Sequence, residues 1–431
     1  MKSGTRLQLG RLAARRRGVD FRVLLAIPSF YGAATWIFWY ALYEARVVEW
    51  QPASLLSRLL FVSVGLLFVI ATAISYRGFK KTLNSYAIKI YDTDLYATYL
   101  FHVIGLVGIV VYVRDFSEFF GGLIPMMAIL ASVGESYQIR EAAEQVTSVG
   151  FQLTYFGWFG AGLSVVFAAL GRGRGLHVAL IVVQLTLNLL FIDRTRPIWI
   201  LFTSVYILLL LGREIDRTKL TALAVTGFVS SFGLFVLLGV WSGKLWNVEQ
   251  LSDSFENISI YGTGGFAYFD HVMRVEQPDS LLMERTLYPL YKILAALGLT
   301  GEPPPQVNEF YLLPVPTNVG TILEPLYRDG GLFLVLIGMG GLVTLCNGAT
   351  RWMLARSSAM NLYLCSNLAF ILLMGFFTPK QSSVPIWLMA AIVGANVLVR
   401  RNARRFVRTD NPVRLRQDSA LGSPARRAAV R

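Results

Sequence analysis

LLSRLLFVSVGLLFVIATAISY, Leu55 to Tyr76, carries a single charge, Arg58. It is long enough to cross a bilayer as one helix, since about 20 apolar residues span the hydrocarbon core. Similar runs recur outward in both directions, and the composition agrees. Hydrophobic residues are 55% of the 431 and charged residues 15%, with a mean hydropathy of +0.53. The fold class expected is an all-α polytopic integral membrane protein. A net charge of +14 could suggest nucleic acid. The basic residues, however, sit at the two ends and in short turns between apolar runs. That asymmetry orients helices in a membrane, with Lys and Arg kept in the cytoplasm, so no nucleic-acid partner is implied.

Before the quoted run, Glu44, Arg46 and Glu49 mark an external loop, and a first span covers Val23 to Tyr43. Residues 1–22, with Arg6, Arg11, Arg15, Arg16, Arg17 and Arg22, form a basic cytoplasmic tail. The apolar run behind them is too long, and lacks the small-residue cleavage site, for a removed signal peptide. After the quoted run, Arg77, Lys80, Lys81 and Lys89 turn the chain inside, and a third span runs from Leu95 to Val113. Phe116 to Val133 is apolar but short, broken by Gly121, Gly122 and Pro125 and followed by Glu135, Glu141 and Glu144. It is expected to be a re-entrant or interfacial segment, with a kinked span as the alternative.

Further spans cover Gly150 to Leu170, Leu176 to Ile192, Pro197 to Leu211 and Leu220 to Trp241. The GRGRG turn, Gly171 to Gly175, lacks the strand and the Lys-Ser/Thr of a phosphate loop and is expected to be a tight cytoplasmic turn. Gly330 to Cys346, Leu362 to Phe377 and Pro385 to Val399 complete the set. Charge balance then places about seven spans within residues 23–240 and about three within 329–400, roughly ten in all, with both termini inside. Residues 401–431 form a basic tail, expected to be disordered. Cys346 and Cys365 give neither a disulfide framework nor a metal site.

The remaining stretch, residues 241–328, is polar, rich in aromatics and expected to face outward as a long loop. Loops of that length usually carry function, here the wall of a binding site. Leu281, Leu282, Leu287, Leu290, Leu294 and Leu297 fall near one helical face, limited by Pro289, and suggest a helix on the membrane surface. Pro314 and Pro316 keep the chain extended up to Thr317.

Chemistry gathers on the external side. Asp193-Arg194-Thr195-Arg196-Pro197 puts two guanidinium groups at a helix N-terminus, where dipole and free N–H groups favour an anion; a snorkelling interfacial pair is the plainer reading. Arg274, Arg285 and Arg328 could converge with that pair. Asp270, Glu276, Glu284, Glu324 and Asp329 could neutralise them or serve as a base. Tyr261, Tyr268, Tyr311 and Tyr327 fit interfacial anchors or platforms for sugar faces. His271 is the one histidine outside, and so the group best able to exchange a proton near neutrality. Metal-ligand spacing is not evident, and no metal or cofactor is implied.

An external Arg-Thr-Arg-Pro opens a span, a long external loop holds Tyr261-Gly262 near its start, and PTNVGTILEPLYRDGG closes it. This order resembles the bacterial O-antigen polymerases, also called oligosaccharide repeat unit polymerases. In that family the loop ends in Thr-Asn-x-x-Thr followed by Tyr-x-Asp and glycines. Thr317, Asn318, Thr321, Tyr327, Asp329 and Gly331 stand at those positions. Two departures matter: Arg194 and Arg196 could each be the family's single arginine, and the usual Asp-Phe-Gly becomes Asp329-Gly330-Gly331.

The resemblance implies a GT-C-like glycosyltransferase of the inner membrane that joins oligosaccharide repeats on the periplasmic face. Donor and acceptor would both be carried on undecaprenyl diphosphate, and membrane lipids, a chain-length regulator and a flippase would be its partners. Arg194, Arg196, Arg274, Arg285 and Arg328 would bind the lipid diphosphate, with Tyr261, Asn318, Thr321 and Tyr327 lining the substrate site. His271, Glu324 or Asp329 would act as base. An O-antigen ligase, which transfers the same glycan to lipid A core, and a lipid-linked oligosaccharide flippase are the alternatives.

Overall fold

Pro28 interrupts the first apolar run, because proline brings no N–H and its ring collides with the preceding turn. The computed structural model describes residues 20–86, 88–132, 148–189, 195–212, 233, 251–278, 283–305, 309, 311–313 and 315–406. In it, the first span is a short helix α1, Phe21–Leu25, followed by α2, Pro28–Glu44. The Asp20 carboxylate accepts from Arg22 N at 3.1 Å to cap α1. Leu55 to Tyr76 lies in α3, Leu55–Asn84, started by the Ser54 hydroxyl accepting from Ser57 N. At 30 residues α3 outruns the bilayer core, so its last turns carry Arg77, Lys80 and Lys81 beyond the apolar zone.

Helix α4, Asp92–Phe119, absorbs the first residues expected to be re-entrant. Gly121 and Gly122 then turn the chain at φ 75° and 138°, backbone that a side chain would strain. Helix α5, Leu123–Ala131, folds back so that Met126 and Leu130 meet Ile109, Tyr112 and Phe116. Its nine residues rise only about 14 Å, too short to cross. The segment expected at 116–133 is thus divided between the end of α4 and a short returning helix.

Helices α6, Val149–Ala169, α7, Arg174–Leu189, and α8, Thr195–Leu211, follow. Helix α6 lies hard against α4 through small residues: a Cβ on Gly108 would sit 2.7 Å from Thr154 N. Such glycine crossings let helices associate by close backbone contact, where lipid offers no hydrophobic drive. The expected span Leu220 to Trp241, apart from Gly233, falls outside the described residues.

Residues 241–328, expected to be a long and partly helical loop, hold α9, Leu251–Val275, a 25-residue helix buried without a break from 262 to 270. A short helix α10, Tyr288–Ala296, carries Pro289 in its first turn and leaves Ile293 and the capping Leu297 exposed. Tyr311–Leu312 (β1) and Pro316–Thr317 (β2) pair antiparallel, Tyr311 opposite Thr317, so the proline-held extended segment forms a small ribbon. Helices α11, Leu323–Leu354, α12, Ala359–Leu373, and α13, Val384–Phe406, complete the bundle, with a 3-10 turn at Lys380–Ser382. α11 is broken at Gly330 and Gly331, and Gly331 has φ 63° with Pro278 packed against it.

The core is aromatic. Trp36 and Phe61 each lie 5.0 Å from the Phe266 ring, centroid to centroid. A polar knot ties three helices inside it: Asn347 of α11 accepts from Ser29 N of α2 and donates to Ser29 and to Ser75 of α3. Leu59, Leu66, Ile70 and Ile74 of α3, with Val103, Val107 and Val110 of α4, point outward exposed, a lipid-facing surface. Among the described residues, four helices, α3, α4, α6 and α11, are long and apolar enough to cross a membrane, and α7, α8, α12 and α13 are shorter apolar ones. The chain is an all-α membrane protein.

Gly108→Leu should force α4 and α6 apart and destabilise the protein by about 1–3 kcal/mol. Gly340→Ala, where a Cβ meets nothing within 4 Å, should not. Thermal unfolding in detergent checks this; equal shifts for both would contradict the packing account.

Candidate functional site

Helix α9 supplies one wall. Its Tyr261-Gly262-Thr263-Gly264-Gly265 stretch is helical, with Gly262 against the Trp39 ring and Gly265 against the Phe376 carbonyl and the Thr321 methyl. Trp50 Nε1 donates to Thr263 Oγ1 at 2.7 Å and fixes the rotation of the helix. Tyr268 and His271 follow on α9, and Glu276 just beyond its end. They meet the first turns of α11, which carry Glu324, Tyr327 and Arg328.

Arg328 is the hub. Its Nη2 donates to Glu276 Oε1 at 2.8 Å and to the Tyr268 hydroxyl at 3.2 Å. Its Nε lies 2.7 Å from Glu324 Oε1, an ion pair whose N–H direction is off line. Glu324 is one turn back on the same helix and is buried. The Tyr311 hydroxyl donates to Glu276 Oε1 at 3.3 Å, and its ring lies 4.5 Å from the half-exposed His271 ring and 5.5 Å from Tyr268. Burial first, then the Glu276 charge, raises the Tyr311 hydroxyl above its ordinary value, so it stays a donor.

One residue on, Asp329 is 3% exposed and turns the other way. Its carboxylate accepts from Thr286 N at 2.7 Å and Arg285 N at 3.2 Å, clamping the segment before α10. Ser382 of the 3-10 turn donates to the Thr286 carbonyl at 3.1 Å. Around this clamp three buried side-chain atoms have no hydrogen-bond partner: Arg285 Nε, Thr286 Oγ1 and Gln381 Oε1. Among the described residues no carboxylate pairs with the Arg285 guanidinium. Buried polar atoms are nearly always satisfied, so three together describe a seat for something polar.

The other expected site residues fall into different roles. Arg274 pairs with Asp270 at 2.7 Å and donates to the Pro52 carbonyl, while Asp270 also accepts from Ser54 N. This pair fastens α9 to the loop before α3. Arg196 is 1% exposed, donates to Thr154 Oγ1 at 3.2 Å and lies 4.5 Å from the Phe151 ring and 4.9 Å from the Trp158 ring. Its described contacts all lie on α6, so it is not gathered with Arg328. Arg194 falls outside the described residues.

Thr321 Oγ1 accepts from Leu323 N at 3.2 Å and Thr317 Oγ1 from Val319 N at 3.3 Å, so both threonines shape the turn into α11. Asn318 between them is half-buried. Tyr327 packs edge-on against Phe269 at 5.8 Å, and Tyr261 lies 6.1 Å from Phe377. Sequence reasoning missed Thr286 and Gln381. Thr286 and Ser382 stand 96 positions apart, and no pattern in the sequence links them.

No family model, curated protein or solved structure matches the chain. Fold and site therefore define a class: an all-α membrane protein with a cationic, aromatic-walled polar site beside α9 and α11.

Removing Arg328 leaves Glu324 and Glu276 facing each other uncompensated. Arg328→Met should cost about 3 kcal/mol of stability, whereas Arg285→Met should cost less than about 1 kcal/mol. The reverse order of thermal midpoints would show that Arg285, and not Arg328, holds the fold.

Proposed function

We propose that the chain is a membrane-embedded glycosyltransferase that polymerises oligosaccharide repeats carried on undecaprenyl diphosphate. It would have about ten spans in the bacterial inner membrane and a GT-C-like layout, with both termini in the cytoplasm and the site facing the periplasm. The observation that carries the reading is the state of Arg285. Arg274 and Arg328 are neutralised by carboxylates, whereas Arg285 has its Nε buried without an acceptor beside two further unsatisfied polar atoms. A lipid diphosphate would supply acceptors for the Arg285 and Thr286 donors, because the guanidinium fork matches two phosphate oxygens and stays charged near lipid, and a sugar hydroxyl would donate to Gln381 Oε1. Its stronger pull on the diphosphate as charge develops would stabilise the leaving group.

His271 and Tyr311, both half-exposed, would offer ring faces to the sugars. Of the candidate bases, Asp329 already receives two backbone N–H groups and Glu324 is paired with Arg328. His271, half-exposed beside Tyr311, would accept the proton of an incoming hydroxyl. Asn318 and Thr321 at the mouth of α11, with Tyr261 and Tyr327, would support the sugar-binding surface.

Polymer formation by the purified protein from synthetic lipid-linked repeats tests this. Arg285→Ala should lower the rate roughly a hundredfold, the equivalent of about 3 kcal/mol. Arg285→Lys should recover little, because a point charge lacks the fork. Near-normal polymerisation by Arg285→Lys would refute the role given to Arg285.

A further inference from the structure

Two of the three histidines lie inside the bundle, far along the chain from the site just described. His102 on α4 and His177 on α7 are 2% and 0% exposed. They meet on one hydroxyl: His102 Nε2 lies 2.8 Å from Ser164 Oγ of α6, and His177 Nδ1 lies 3.0 Å from the same oxygen. Small residues make this possible. Gly160 lets the His102 ring lie against α6, where a Cβ would stand 3.0 Å from the ring. The His177 ring is held flat between Tyr99, 5.5 Å away, and Phe167, 5.3 Å away.

Hydrogen counting makes the arrangement directional. A serine hydroxyl has one proton, so it can donate to one ring nitrogen while accepting from the other ring's N–H. The outer nitrogens, His102 Nδ1 and His177 Nε2, are both buried and have no hydrogen-bond partner. They are the two open ends of a three-group chain. Ionisable groups in a membrane interior are costly and are usually kept for a task.

We propose that His102, Ser164 and His177 form a proton-relay site within the bundle, binding one proton and passing it along the chain. A proton arriving at His177 Nε2 makes that ring cationic. The ring's Nδ1 proton moves to Ser164 Oγ, and the serine's own proton moves to His102 Nε2. His102 then holds both ring protons and the charge, so one proton has entered, none is lost and the three groups together gain one positive charge. The His177 end faces Gly173 in the glycine turn, where the ring Nε2 would stand 4.0 Å from a Cβ. Charge patterning assigns that turn to the cytoplasmic side.

Other buried polar groups lie further along α6 and α7. Gln184 has both amide atoms buried without a partner, and Asn188 accepts from Trp158 Nε1 at 2.7 Å. Thr154 then meets Arg196. The charged and titratable groups around the relay are Asp94 and Tyr99 on α4, Tyr363 of α12 against Gly162 of α6, Arg174 at the start of α7, the Arg172–Asp92 pair at the turn, and Arg196 on α8. Asp94, buried on the same α4 face as His102 two turns earlier, is the nearest acidic group along that helix. This inference does not depend on the glycosyl-transfer reading.

Histidine-selective nitrogen-15 NMR of the full chain in lipid nanodiscs tests it, with His271→Gln removing the third signal. Between about pH 8 and about pH 3, His102 and His177 should take up a single proton between them, with their ring signals moving together. Ser164→Ala should abolish that joint movement, and Ser164→Thr, which keeps the hydroxyl, should restore it. Two histidines that stay neutral throughout, or that titrate independently in the wild type, would each overturn the relay.

Discussion

A side chain at position 262 would run into the Trp39 ring, and one at 265 into the Phe376 carbonyl, so glycine at both lets α9 sink into the bundle. That approach sets the rest of the site. With α9 seated, Thr263 meets Trp50, Phe266 enters the aromatic core, and Tyr268, His271 and Glu276 reach Arg328. A helix a few ångströms further out would leave Arg328 with Glu324 alone and remove the wall of rings. The site therefore depends on small residues at a helix crossing more than on any one ion pair.

The second constraint is the break in α11. Gly331, at φ 63°, ends the short piece that carries Glu324, Arg328 and Asp329 and starts the long apolar piece. Because 328 and 329 are neighbours just before that break, their side chains leave in different directions. Arg328 closes on Glu276 and Glu324, while Asp329 clamps the backbone of Arg285 and Thr286. Two regions remote in sequence are thereby joined through adjacent residues. The clamp leaves Arg285 beside Thr286 and Gln381 with unsatisfied atoms and no carboxylate among the described residues.

Apolar periodicity made most of the bundle legible. Leu55 to Tyr76, Gly150 to Leu170 and Pro197 to Leu211 fall within or nearly within α3, α6 and α8, because length and hydropathy alone decide such helices. Helix α9 was not legible: its glycines, Asp270 and His271 lower its apolar average, although nine consecutive residues of it are buried. A helix whose neighbours are other helices can be polar and tightly packed, and hydropathy cannot see the neighbours. The site was half legible for the same reason. Residue types marked Arg285, Arg328, His271 and Glu276, but their pairing is decided by the glycine break and by the 3-10 turn, which no local pattern announces. Nor did His102 and His177, one in a span and one at a turn, suggest that they share a serine.

The proposed lengthening of a lipid-linked glycan by this chain is tested most directly by the surface glycan of cells lacking it. Loss of a polymerase removes long chains and leaves single repeats still attached to their final acceptor, and electrophoresis of the extracted glycolipid separates the two. Single repeats without a ladder are the result predicted. Complete absence of repeats, or an unchanged ladder of long chains, would contradict the account.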